Sequence, residues 1–142
     1  MNGKSATVLL GESREKAKSS IKGFLEKLNI EIWECMNGVE VVQQAFAKNP
    51  DLIILDVDLP RLNGFMCARI LKSDPLMKAI PIIHMGSPQN TIEQYWSKVS
   101  GGDYYLQTPF NEAELNQTLR RLLRKESSKR RLLAPVRIVP EL

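Results

Sequence analysis

The sequence predicts an α/β fold in which a doubly wound sheet of five parallel strands carries five helices on its two faces. Five short apolar segments alternate with five amphipathic segments along the 142-residue chain. Such alternation favours parallel pairing with right-handed crossovers. Residues 52–55 are apolar on both faces, which is typical of a strand in the middle of a sheet. The length suits one domain.

The first two strand–helix units open the chain. Residues 6–10 predict a short apolar strand. Ser13 is the expected cap of a helix in which apolar residues recur every three or four positions as far as Leu28. Residues 30–33 predict the second strand. The apolar side chains of residues 41–46 fall on one helical face and predict the second helix.

The third and fourth units follow the same order. Residues 51–56 predict a buried strand that ends on a carboxylate, and residues 63–71 have helical spacing. Residues 80–85 predict the fourth strand, with Pro81 near its start, where a missing N–H is tolerated. Residues 88–99 predict the fourth helix.

The fifth unit closes the predicted domain. Residues 104–106 predict a strand, and the Thr108-Pro109 turn follows it. Asn111 is the expected cap of a last helix that carries regularly spaced leucines. We therefore expect one domain over residues 1–124 and a basic, proline-containing extension over residues 125–142.

Composition and charge exclude several classes of protein. Apolar residues make up 43% and charged residues 25% of the chain, as in ordinary globular proteins. No apolar run is long enough to cross a membrane, and the N-terminus lacks the pattern of a signal peptide, so we expect a cytoplasmic protein. Cys35 and Cys67 have no metal-ligand spacing and are expected to be reduced. The net charge of +4 comes from the C-terminal end of the chain.

The stretch DLIILDVDLPRLNG, residues 51–64, is the strongest indication of a functional site. A buried strand ends on Asp56, and Asp58 follows two residues later. Open α/β sheets bind their ligands at the carboxyl ends of the strands. The same edge of the predicted sheet gathers residues 11–13, 86–87 and Thr108.

Residues 5–124 resemble the receiver domain of bacterial response regulators. DLIILDVDLPRLNG is similar to the segment around the family's phosphorylated aspartate, and GGDYYLQTPF is similar to its fifth strand and Lys-Pro turn. The resemblance implies a flavodoxin-like sheet in the order 2-1-3-4-5, with Asp56 as the phosphoacceptor. It also implies a Mg²⁺ site formed by Glu12, Asp56 and the backbone carbonyl of Asp58. A cis peptide bond is expected between Thr108 and Pro109.

The chain departs from the family pattern at three positions. Gly11 replaces the first of two adjacent acidic residues, and Gly86 stands where the family has a serine or threonine. Ser87 is adjacent, but successive side chains at a strand end point to different sides. Thr108 replaces a lysine, and a neutral hydroxyl is a much weaker partner for phosphoryl oxygens than an ammonium. We therefore expect Mg²⁺ binding and phosphorylation to be weak or absent, as in pseudo-receivers, and neither Arg61 nor Lys98 is expected to replace the lysine.

Three aromatic residues are candidates for a protein interface. The resemblance places Tyr95, Trp96 and Tyr105 on the surface of the fourth helix and fifth strand, which the family commonly uses for partners and dimers. Because Tyr95 and Trp96 are adjacent on one helix, they are not expected to face the same way, and one could pack inward. His84, inside the fourth strand, is expected to be a core residue.

The basic end of the chain allows more than one interpretation. In the first interpretation it is the solvated end of the last helix followed by a flexible extension. In the second its basic residues bind an anionic partner. In the third residues 136–139 dock on another protein as an extended strand. Nucleic-acid binding is not expected, because no reader domain fits in the remaining residues.

The leading hypothesis is a single-domain receiver of two-component signalling that acts mainly through protein contacts, with weak or absent phosphorylation at Asp56. The alternative is a slow but working receiver that a sensor histidine kinase phosphorylates at Asp56 with Mg²⁺. Partners would be a sensor kinase or a downstream signalling protein, and a homodimer is left open. An enzyme is not expected, because the chain has no nucleophile–base pair and no glycine-rich phosphate loop.

Overall fold

The computed structural model describes residues 6–87 and 91–133, and it describes side-chain burial as far as residue 124. The five strands are β1 (Thr7–Gly11), β2 (Glu31–Cys35), β3 (Leu52–Asp56), β4 (Ile82–Gly86) and β5 (Tyr104–Gln107). The five helices are α1 (Glu15–Lys27), α2 (Gly38–Lys48), α3 (Gly64–Lys72), α4 (Thr91–Ser100) and α5 (Glu112–Leu133).

The strands form one parallel sheet in the order β2-β1-β3-β4-β5, which confirms the predicted fold class and strand order. β3 lies in the centre of the sheet, between β1 and β4, and all five of its residues are buried. This burial on both faces explains why its sequence is continuously apolar. The arrangement places the carboxyl ends of β1, β3, β4 and β5 along one edge of the sheet.

Two apolar cores hold the helices against the two faces of the sheet. Successive side chains of a strand point to opposite faces, so each central strand contributes to both cores. In β3, Leu52 and Ile54 pack with α1 and α5, whereas Ile53 and Leu55 pack with α2 and α3. Cys35 and Cys67 are free thiols in the second core, as expected of buried apolar residues.

Asparagine side chains cap three of the helices. Asn37 accepts a hydrogen bond at the start of α2, Asn63 at the start of α3, and Asn111 at the start of α5. The predicted cap of α1 is wrong. Arg14, not Ser13, occupies the N-cap position, and its side chain makes no capping bond because a guanidinium has no acceptor atom. It donates to two carboxylates instead.

The bounds of several elements differ by one or two residues from the predicted ones. The largest difference is at α5, which continues to Leu133, so the first nine residues beyond position 124 extend the helix. Residues 88–90, where the fourth helix was predicted to begin, lie outside the described residues, as do residues 136–139. Within the described part of the chain, no helix combines the length and hydropathy that a membrane span requires.

His84 is a core residue, as predicted. Its ring is fully buried, with Nε2 2.8 Å from the carbonyl oxygen of Gly64 and Nδ1 2.7 Å from the hydroxyl of Ser97. Burial lowers the pKa of the ring, which keeps it neutral. Nε2 therefore donates to the carbonyl and Nδ1 accepts from the serine, which ties α3 and α4 to β4.

Candidate functional site

Two buried carboxylates meet at the carboxyl edge of the sheet. Glu12 follows β1 and Asp56 ends β3, and these two strands are neighbours. The Glu12 side chain is 0% exposed and that of Asp56 is 2% exposed. Like charges held close together in a low-dielectric place repel strongly, so this arrangement requires a positive charge nearby.

Arg14 supplies that charge. Its Nε lies 3.1 Å from Glu12 Oε2, and its Nη2 lies 3.3 Å from both Glu12 Oε1 and Asp56 Oδ1. The backbone amide of Arg14 also donates to Glu12 Oε2 at 3.0 Å. Hydrogen bonding with Glu12 raises the pKa of Arg14. One guanidinium therefore bridges both buried carboxylates.

Arg14 was not predicted from the sequence as a site residue. The replacement of the family's lysine by Thr108 predicts a pocket short of positive charge, and neither Arg61 nor Lys98 was expected to fill it. The place of Arg14 two residues after Glu12 was the only local signal, and sequence spacing alone does not show that the side chain folds back over the strand ends.

Asp56 holds its proton more tightly than an ordinary aspartate. Burial and the neighbouring Glu12 raise the pKa of Asp56 from 3.8 to about 6, against the opposing effects of Arg14 and of a hydrogen bond from the Asp58 backbone amide. The Asp58 side chain itself is exposed. Near neutral pH, Asp56 is mostly ionised but remains close to its titration range.

The expected metal site fits the structure only in part. Mg²⁺ takes oxygen ligands at about 2.0–2.1 Å in an octahedral arrangement, and Glu12 and Asp56 have suitable oxygens. The Arg14 guanidinium lies against these same oxygens, so a cation and Arg14 would compete for them. No group of three ligating His, Cys, Asp or Glu side chains is found among the residues that the structure describes. A Cβ on Gly11 would lie 2.7 Å from Val41, which leaves little room for a carboxylate there.

Tyr105 and Glu93 occupy the place of the expected switch hydroxyl. A Cβ on Gly86 would collide with the Tyr105 hydroxyl and the Glu93 carboxylate. The Tyr105 hydroxyl donates to Glu93 Oε1 at 2.6 Å and lies 3.1 Å from the carbonyl oxygen of Ser87. Burial and the bond to Glu93 raise the pKa of Tyr105, which keeps the phenol protonated. Ser87 contributes its backbone, since its amide donates to Glu93 at 3.2 Å.

Thr108 lies at the edge of the sheet, as predicted, and joins β5 to β4. Its backbone amide and its hydroxyl both donate to the carbonyl oxygen of Gly86, at 3.0 and 3.2 Å. The Thr108-Pro109 peptide bond is cis, as expected. Thr108 and Arg14 also line an open cavity of about 450 Å³ between α1 and the turn after β5.

The aromatic residues of α4 are both exposed. Tyr95 is 62% and Trp96 49% exposed, and their rings make an edge-to-face contact at 5.7 Å. The suggestion that one of them packs inward is therefore wrong. Ser97 and Ser100 are the buried residues of α4, because this side of the helix meets His84 and the turn after the helix. Tyr105, the third interface candidate, is only partly exposed because its hydroxyl turns towards Glu93.

The parallel order 2-1-3-4-5, with an aspartate at the end of the central strand, is the arrangement found in receiver domains of two-component signalling. The family model described as the response regulator receiver domain matches residues 8–120. The chain belongs to this family.

Curated relatives are similar to this chain over most of its length. PilH of Pseudomonas aeruginosa is 29% identical over 118 residues, which cover 83% of this chain and 98% of PilH. The transcriptional regulator PhoP of Bacillus subtilis is 27% identical over 118 residues, which cover 83% of this chain but only 48% of PhoP.

Solved structures agree with the fold. The receiver domain of a Pseudomonas aeruginosa sensor histidine kinase, with a magnesium ion coordinated in its active-site cleft, has a TM-score of 0.79 at 25% identity. That match covers 84% of this chain and 98% of the kinase domain. The chemotaxis response regulator CheY4 of Vibrio cholerae has a TM-score of 0.76 at 24% identity, over 84% of this chain and 99% of CheY4.

The raised pKa of Asp56 makes the stability of the protein depend on pH. The folded state binds the Asp56 proton more tightly than the unfolded state, so ionisation of Asp56 opposes folding. Stability falls as pH rises from about 4 through 6. Asp56→Asn removes this penalty, and we expect it to raise the free energy of unfolding by about 1–3 kcal/mol near pH 7.5. Near pH 4 the gain should largely vanish.

Urea unfolding at the two pH values measures this effect. Asp58→Asn is the matched control, because the Asp58 side chain is exposed. Equal effects of Asp56→Asn at both pH values would contradict the prediction.

The packing around Gly86 predicts a coupled pair of substitutions. Gly86→Thr requires Tyr105 to move outwards and lose its hydrogen bond to Glu93, which costs about 1 kcal/mol. Tyr105→Ala removes one of the two groups in that space and frees the Glu93 carboxylate, the other group, from its bond to the phenol. A double-mutant cycle by urea unfolding tests this coupling. The loss in the free energy of unfolding for Gly86→Thr/Tyr105→Ala should be smaller than the sum of the two single losses by at least about 0.5 kcal/mol.

Tyr104 provides the control for this cycle. It lies on the other face of β5, against α5, where its hydroxyl bonds to Glu114. Gly86→Thr and Tyr104→Phe should be additive. Additive losses for Gly86→Thr and Tyr105→Ala would show that the phenol does not fill the space beside position 86.

Proposed function

We propose that this protein is an atypical receiver that acts mainly as a protein–protein interaction module, with weak or absent phosphorylation at Asp56. On this proposal it is a cytoplasmic signalling protein rather than an enzyme. Its partners are a sensor kinase or a downstream signalling protein. The buried free thiols of Cys35 and Cys67 are consistent with a reducing compartment.

The observation that carries the proposal is the filled space beside Gly86. A receiver that reports phosphorylation needs a group that contacts the phosphoryl oxygens and moves when it does so. Position 86 has no side chain, and the Tyr105 hydroxyl and Glu93 already occupy the space next to it. This network links β5 to α4 through the protein's own side chains, which supports a surface that is set by the fold.

The environment of Asp56 supports slow phosphorylation. Attack on a phosphoryl group requires the ionised carboxylate and added positive charge around the transferring oxygens. The nearest cation, Arg14, already bridges Asp56 and Glu12, and Thr108 donates its hydroxyl to a backbone carbonyl. Both groups would have to give up these bonds to stabilise the transition state.

The exposed face of α4 supports a role in protein contacts. Its exposed apolar residues recur at helical spacing and lie beside β5: Ile92, Tyr95, Trp96 and Val99. Clustered aromatic residues with adjoining aliphatic ones are typical of the central part of a protein interface. The surface fits a partner protein or a second copy of the chain.

A slow but working receiver is the second candidate. It is favoured by the presence of Asp56 at the end of the central strand and by the positive charge that Arg14 brings to it. In that case a sensor histidine kinase would phosphorylate Asp56 with the help of Mg²⁺.

Chemical phosphorylation separates the two candidates. The protein is incubated with Mg²⁺ and acetyl phosphate, and its intact mass is followed over time. We expect little or no acyl-phosphate adduct, because the cation at Asp56 is committed to ion pairs and the switch hydroxyl is absent. Asp56→Asn is the control for specificity. An abundant adduct in the wild type that this substitution abolishes would establish the working receiver.

A complementation assay tests the interaction role. In a host strain that lacks the gene, Asp56→Asn should restore signalling as well as the wild type does, whereas Trp96→Ala should not. Phe46→Ala is the matched control, because Phe46 is a similarly exposed aromatic residue on α2. If Asp56→Asn fails and Trp96→Ala succeeds, the output depends on phosphorylation instead of on the α4 surface.

A further inference from the structure

The Arg14 guanidinium contacts both buried carboxylates, as a cation bound at this site would. Its Nη2 lies at the same distance, 3.3 Å, from one oxygen of Glu12 and one of Asp56, the two carboxylates that the metal site of a receiver would use. Nε makes a second contact with Glu12, at 3.1 Å. Among the described ion pairs, this is the only one that reaches Asp56.

The need for such a cation follows from burial. Both carboxylates are almost completely removed from water, and two buried negative charges strongly destabilise the folded state unless a cation and hydrogen bonds compensate them. A divalent cation could do this through metal–oxygen bonds. A guanidinium does it through its planar set of N–H donors, which can serve more than one carboxylate oxygen at once.

The Arg14 side chain is free to move away from the two carboxylates. Its side chain is 56% exposed, although the two carboxylates that it contacts are buried. It belongs to the N-cap residue of α1 and makes no capping bond, so its departure would leave the start of the helix intact. A rotation about its side-chain bonds would place the guanidinium in water.

We propose that Arg14 is a displaceable substitute for the divalent cation of the receiver site, so that the guanidinium and a metal ion exclude each other from Glu12 and Asp56. The protein then folds and presents its surface without metal, and only a high concentration of divalent cation occupies the site. This inference deepens the proposed function, on which it rests, because it explains how the site is neutralised without a bound metal.

Metal binding to Arg14 variants tests the inference. Mn²⁺, which has the same preference for oxygen ligands as Mg²⁺ and is visible by electron paramagnetic resonance, is titrated into wild-type protein and Arg14→Ala. We expect Arg14→Ala to bind one Mn²⁺ at least tenfold more tightly than the wild type. A further Glu12→Gln substitution should remove the gain. Lys16→Ala is the control, because it removes one exposed positive charge from the same helix and should leave the affinity of the wild type unchanged.

Arg14→Ala leaves two carboxylates uncompensated and is therefore checked for folding by circular dichroism. Arg14→Gln, which keeps polar contacts without the charge, is titrated in parallel. A measurement on the wild type is independent of both variants. Saturating Mg²⁺ should shift the Arg14 Nε–H signal in NMR spectra towards that of a solvent-exposed arginine.

Four outcomes would overturn the inference. These outcomes are equal affinity in wild type and Arg14→Ala, weaker binding in the variant, absence of binding in all folded variants, and Mg²⁺ binding that leaves the Arg14 signal unchanged. The titration contains no phosphodonor, so it separates the two proposals. A wild type that is readily phosphorylated by acetyl phosphate would contradict the proposed function, whereas tighter metal binding by Arg14→Ala would still support the role of Arg14.

Discussion

The neutralisation of two buried carboxylates is the constraint on which the rest of this site depends. β1 and β3 are adjacent in the sheet, and their carboxyl ends place Glu12 and Asp56 in a region that excludes water. The repulsion and desolvation of two such charges exceed what a surface ion pair can compensate. Arg14 meets this need with three side-chain contacts and a backbone contact.

The other half of the same edge is also filled by the protein's own groups. The Tyr105 hydroxyl and Glu93 occupy the space beside Gly86, and the Thr108 hydroxyl donates to the Gly86 carbonyl. Position 86 tolerates this arrangement only because glycine has no side chain. The groups nearest to a phosphoryl group at Asp56 are therefore engaged in structural bonds, and the protein's own side chains link β5 to α4.

The position of α4 follows from this link and from His84. The buried ring of His84 requires a hydrogen-bond donor from the helix, and Ser97 provides it. The small polar side of α4 therefore faces the sheet, and its apolar side, with Tyr95 and Trp96, faces outwards. The exposed surface that we associate with partner binding is thus a consequence of the hydrogen bond between the buried His84 ring and Ser97.

The sequence by itself determined the architecture of this protein. Apolar periodicity and turn residues are local properties, and they were sufficient for the five strands, the five helices and the central place of β3. The receiver family followed from the resemblance of residues 51–64 and 101–110 to known receiver segments. They also placed Asp56 and Thr108 at the functional edge. Bounds shifted by a residue or two because helix and strand ends depend on hydrogen bonds that periodicity does not report.

Only the tertiary structure decided what these edge residues contact. The folding of Arg14 over Asp56, 42 positions away along the chain, and the approach of Tyr105 to Gly86 both depend on the side-by-side packing of separate units. The exposure of both α4 aromatics likewise depends on a bond between Ser97 and His84. Such contacts are set by burial, charge and free space in three dimensions, whereas residue order constrains only near neighbours along the chain.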